Sequence, residues 1–91
     1  MKIEDIKRNR DELIRRVTME CPEMLCVIVG RNIVVEGDAV ILEFGPNEEM
    51  LRSIAEKNQI QFLNIVDEMT GEDVKVVLRG GEKRYGRRKG W

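Results

Sequence analysis

The stretch Ile33-Val-Val-Glu-Gly-Asp-Ala-Val-Ile-Leu-Glu-Phe44 holds two apolar runs joined by Gly37-Asp38. Such a pair between β-branched runs is a hairpin signal, because Gly takes the positive φ that a two-residue turn needs. The turn sets the register. Glu36 faces Ala39, Val35 faces Val40, Val34 faces Ile41 and Ile33 faces Leu42. Directly opposed residues share a face of the sheet. One face therefore carries Ile33, Val35, Val40, Leu42 and Phe44 and should be buried as a set. The other carries Asn32, Val34, Glu36, Ala39, Ile41 and Glu43, with Val34 and Ile41 half-exposed at its centre.

Downstream, Gly45-Pro46-Asn47 ends the hairpin and opens a long helix running to Gly71. Asn47 serves as its cap, and Glu48 and Glu49 suit the positive end of the helix dipole. Met50, Leu51, Ile54, Phe62, Ile65, Val66 and Met69 recur at three and four and predict one apolar stripe. The polar run Glu56 to Gln59 marks a kink or break. Gly71 fits the C-terminal glycine. Val74, Val76 and Leu78 then alternate with Asp73, Lys75 and Val77 as a last strand. It returns either parallel by a crossover or antiparallel. Upstream, Ile3, Ile6, Leu13, Ile14 and Val17 predict a helix over residues 3–18, with fraying near Asn9 and Arg10. Pro22 opens a second, short helix that stops at Gly30. The run Val27 to Val29 is equally readable as a strand. The expected order is α-α-β-β-α-β, an α+β two-layer domain with a three-stranded sheet, over residues 1–79.

A chain of 91 residues with 42% hydrophobic and 36% charged residues is one small globular domain, with stability of about 5 kcal/mol. No apolar run reaches the ~20 residues of a membrane span, and the N-terminus lacks the apolar core of a signal peptide. No membrane association is expected, and the expected location is cytoplasmic. Cys21 and Cys26 are the two cysteines and histidine is absent, so a zinc site is not expected and both thiols should be reduced and partly buried. The net charge of −1 conceals an asymmetry. Residues 79–91 hold six of the 16 basic residues and one of the 17 acidic ones, a segment at +5 beside a body at −6.

Nothing in the chain looks catalytic. A histidine-based triad is impossible, Ser53 has no evident base, and neither a phosphate loop nor a dinucleotide fingerprint occurs. No catalytic residue, cofactor or metal is expected. Two surfaces remain as candidates. The basic tail, residues 80–91, offers Lys83, Arg84, Tyr85, Arg87, Arg88, Lys89 and Trp91 to nucleic acid, with Arg79 just before it. Cations attract phosphates and aromatics stack on bases. A merely solubilising end is the other reading of that tail. The second candidate is the open sheet face, where Val77 should join Val34 and Ile41 in an apolar patch with a charged rim. Coverage by the first helix or the tail is its alternative. The helical surface around Arg52, Glu56 and Gln59 comes next.

The segment Val35 to Phe44, followed by Pro46-Asn47, a long helix and Thr70-Gly-Glu-Asp-Val-Lys-Val76, resembles the C-terminal domain of the bacterial DNA polymerase III gamma/tau subunit. The likeness covers about residues 10–78. It is also similar in layout to the truncated KH (type II-like) fold of the replication initiator's N-terminal domain. The first helix departs from the family, offering Ile3 and Ile6 where a tryptophan is often found. The resemblance implies a non-catalytic tethering module of the replication machinery, whose partner is the polymerase catalytic subunit or the replicative helicase. Self-association is a further possibility. It also implies a fragment or a stand-alone relative, since the clamp-loading ATPase region is missing. KH-type RNA binding needs a Gly-x-x-Gly loop between helices, which this chain lacks. The remaining nucleic-acid reading is weak contact through the tail.

Overall fold

The computed structural model describes residues 1–81. Its hairpin comprises β1 (Ile33–Glu36) and β2 (Ala39–Phe44), and β3 (Lys75–Gly80) completes a sheet of order β1-β2-β3. The hairpin register is the one read from the turn, from Ile33 opposite Leu42 to Glu36 opposite Ala39. Gly37 has φ 60 and, among the described residues, no non-glycine residue has positive φ, the pattern of a turn with Gly at its first central position. Of the inward set, Ile33, Val40, Leu42 and Phe44 are buried, whereas Val35 near the turn is only half-buried. β3 runs parallel to β2, so the helical segment between them is a crossover.

That segment is two helices, α3 (Glu49–Lys57) and α4 (Gln59–Thr70), broken at Asn58 inside the expected polar stretch. Asn58 closes the break itself, its side-chain amide donating to the Ile54 carbonyl at 2.9 Å. Phe62, Ile65, Val66 and Met69 of α4 are buried as their spacing implied, and Gly71 ends α4 in the left-handed region. Met50 departs from the stripe. It is 77% exposed, on the outer side of the first turn of α3. Asn47 does not cap α3. Glu48 takes that position and folds its carboxylate back onto the Gly45 N–H at 2.8 Å.

The N-terminal half is more broken than periodicity implied. A single 3₁₀ turn, Ile3–Asp5, precedes α1 (Arg10–Glu20), with Asn9 between them. Ile3 and Ile6 are still buried, so the apolar spacing reports burial although one helix does not span it. A second 3₁₀ turn, Pro22–Met24, leads into α2 (Leu25–Ile28), so of the ambiguous run Val27 and Ile28 are helical and Val29 is the extended residue that ends the helix. α1 lies against α4, and α2 against α3. The helices thus form one layer over the inward face of the sheet, with the core between them.

β3 continues past its own last apolar residue, Leu78, to Gly80. Gly80 has φ 79, and a Cβ there would lie 2.2 Å from the Phe44 carbonyl oxygen. Only glycine lets the two strand ends approach this closely.

Candidate docking surface

The sheet register puts Val34, Ile41 and Val77 side by side in one row across the open face. They are not equally accessible. Val77 is 38% exposed, Val34 is half-buried, and Ile41 is only 3% exposed. The half-exposed Ile41 expected from sequence is therefore corrected. Ile41 sits on the central strand with a branched side chain on each side. Arg79 of β3 also reaches Glu43 of β2 and, at 3.9 Å, Glu36 of β1. The longer pair joins the outer strands diagonally across the middle one, past the row that holds Ile41. The usable apolar surface is thus Val77 and the flank of Val34, bordered by Glu36, Glu43 and Arg79.

The same geometry bears on Arg79 as a nucleic-acid contact. Its guanidinium is engaged by two carboxylates of the sheet, with 47% of the side chain still exposed. Lys83, Arg84, Tyr85, Arg87, Arg88, Lys89 and Trp91 lie outside the described residues.

Of the third candidate, Arg52 and Gln59 turn toward the sheet, while Glu56 stays exposed and pairs with Arg52 at 3.0 Å. Gln59 donates to the Val76 carbonyl at 2.8 Å, and Arg52 donates to the Leu78 and Gly80 carbonyls at 3.3 and 2.7 Å. These carbonyls line the outer edge of β3. Two helix side chains therefore seal an edge that would otherwise accept another strand.

Sequence reasoning missed the most connected polar residue. Arg31, between α2 and β1, has a side chain 9% exposed. It donates to the Val27 and Glu43 carbonyls, grips Glu48 through two bonds of 2.9 Å, and stacks 4.3 Å above the Phe44 ring. The bidentate guanidinium, helped by the Gly45 N–H, holds the Glu48 carboxyl down at about 2, against an ordinary value of 4.5. Arg10 closes the end of α2 in the same manner, donating to the Ile28 and Arg31 carbonyls. Isolated arginines among charged neighbours carry no periodic signal that would have singled them out.

Other chemistry is sparse. Both cysteines are free, but Cys21 is buried and Cys26 exposed, which corrects the expectation of two partly buried thiols. Burial pushes the Cys21 thiol up from its ordinary value. Among the described residues no three cysteine or acidic side chains gather in a metal-binding group. No described helix is long and apolar enough to cross a membrane. The linker between α3 and α4 is Asn58 alone, with no Gly-x-x-Gly. Compared with known proteins, the chain matches no family model, no curated protein and no solved structure.

Proposed function

We propose that this domain is a non-catalytic tethering module of the bacterial DNA replication machinery, working in the cytoplasm as the gamma/tau C-terminal domain does. It docks through its open sheet face onto the polymerase catalytic subunit or the replicative helicase. The observation that carries this reading is Val77, a large apolar side chain left 38% exposed beside Val34 inside a rim of Glu36, Glu43 and Arg79. An apolar centre with a charged border has the make-up of a modest docking site. The hairpin, the helical segment that follows Pro46-Asn47 and the ending from Thr70 to Val76, which prompted the family likeness, support it.

Val77 is a better probe than Ile41, whose burial makes any charge there a folding defect. Val77→Glu is expected to weaken capture of the polymerase subunit or helicase by at least about tenfold while leaving the circular dichroism spectrum unchanged. Val77→Thr keeps the shape and should bind far better than the glutamate variant. Equal capture by the wild-type and glutamate proteins removes this face from the reading. Failure of the wild-type domain to bind either protein removes the reading itself. Salt separates it from binding of nucleic acid through the basic tail, because phosphate contacts weaken steeply with salt and apolar docking does not.

A further inference from the structure

Between the N-terminal segment and the loop that joins α2 to β1 lies a cleft of about 330 Å³, lined by Lys7, Arg10, Gly30, Arg31, Asn32 and Ile33. Its charged side chains are all basic, but they differ in what balances them. The Arg31 guanidinium is neutralised inside the fold by Glu48. Arg10 donates only to main-chain carbonyls, those of Ile28 and Arg31. Among the described residues neither Lys7 nor Arg10 forms an ion pair. The cleft therefore holds two positive charges that the fold leaves unbalanced.

Arg10 is set in place before any ligand arrives. Its carbonyl bonds use two of the five guanidinium N–H groups, and three remain. A fork already fixed loses less freedom on binding. Arg10 is also the first residue of α1, whose positive end has no side-chain cap, so the helix dipole adds to the same potential. The neighbouring acids do not cancel it. Glu12 is held by Arg15 and Arg16, Asp5 is paired with Arg8, and Asp11 is not part of the cleft wall. On the loop side, Asn32 is exposed and its side-chain amide makes no hydrogen bond among the described residues. Gly30 leaves the wall open there, since a Cβ would meet nothing within 4 Å.

We propose that this cleft binds a phosphate dianion, either free or as the monoester end of a small molecule. Lys7 and Arg10 supply the charge and Asn32 a neutral donor. Two unbalanced cations match a group that carries about −1.5 to −2 at neutral pH. Its oxygens accept what a guanidinium fork, an ammonium and an amide offer. A phosphodiester carries a single charge and is the poorer match. The volume lies at the small end of ligand sites, which run from about 300 to 1,000 Å³. The cleft shares no residue with Val77, Val34 and their rim, so the proposal stands apart from the replication reading.

The test is a titration of the full chain at low salt, followed by backbone amide NMR shifts, with ribose 5-phosphate, inorganic phosphate, ribose and dimethyl phosphate as probes. Both dianions are expected to move Gly30, Asn32 and the start of α1, with Kd about 1 mM or tighter. Ribose and the diester should bind at least about tenfold more weakly. The tighter of the two dianions tells whether the ester or the free ion is the occupant. Lys7→Ala should weaken dianion binding about tenfold, as a charge-assisted contact is lost. Lys7 is exposed and unpaired, so the fold is not at stake. Lys7→Arg should keep most of the affinity. Lys57→Ala removes an exposed cation outside the cleft and should change it less than about twofold. Failure of both dianions to bind at about 10 mM overturns the proposal. So does an equal loss in the two alanine variants, a diester that binds as tightly, or shifts confined to the basic residues 82–91.

Discussion

Phe62→Ala is expected to destabilise the domain by about 3 kcal/mol or more, which is most of the stability a chain this size holds. Phe62 is fully buried in α4, among Ile65, Val66 and Met69, where the helix meets α1 and β3. Truncation removes the ring's transfer energy and leaves a cavity that rigid neighbours on both sides cannot collapse into. A melting temperature lower by about 15 °C follows for a domain under 100 residues. Ile60, two residues earlier, is the control. It is 71% exposed, so Ile60→Ala should change stability by less than about 0.5 kcal/mol. Urea midpoints of the two variants check the pair. Equal midpoints would mean that the apolar stripe of α4 is not what holds the helices to the sheet.

The contrast between those two isoleucine- and phenylalanine-bearing positions shows which parts of this fold were legible. The hairpin was readable to the residue, since a two-residue turn leaves one register and period two then assigns each side chain to a face. The break at Asn58 and the stop at Gly71 were readable from local chemistry. The α+β order followed from these. Apolar spacing over Ile3 to Val17 reported burial correctly but not helix continuity, because a 3₁₀ turn and a helix in succession can bury the same side. Strand direction was not readable, as a crossover and a return differ only in where β3 lands. The candidate face was half legible. Its row of Val34, Ile41 and Val77 followed from pairing, but the burial of Ile41 and the Arg79–Glu36 pair, two long side chains meeting across three strands, did not. Tertiary ion pairs of that kind leave no local trace in sequence.

Arg31→Met is the substitution with the next largest expected effect, about 2 to 3 kcal/mol. It keeps the apolar stem but deletes the guanidinium that joins three segments, the end of α2 at Val27, the end of β2 at Glu43 and the start of α3 at Glu48. Two main-chain carbonyls lose their Arg31 partner and the Glu48 carboxylate keeps only the Gly45 N–H, and an unmade bond to a buried group is more damaging than its mean worth. The loss stays below that of a fully buried pair because Glu48 keeps 35% of its side-chain surface in solvent. Arg31→Lys should fall between, since an ammonium keeps the charge but not the fork. The acid limb gives an independent check. Arg31 and the Gly45 N–H lower the Glu48 carboxyl in the folded state to about 2, below its ordinary 4.5. The unfolded chain therefore binds the proton first, so this contribution is complete above about pH 4.5 and is lost as pH falls toward 2. Glu12, lowered by hydrogen bonds from Arg15 and Arg16, acts in the same direction. Subtracting the stability–pH curve of Arg31→Met from that of the wild type removes the Glu12 part and isolates Glu48. The difference should be flat from neutral pH to about 4.5 and shrink below it. A difference that stays constant down to pH 2 would show that Arg31 holds the fold through its carbonyl contacts and Phe44 alone, without Glu48.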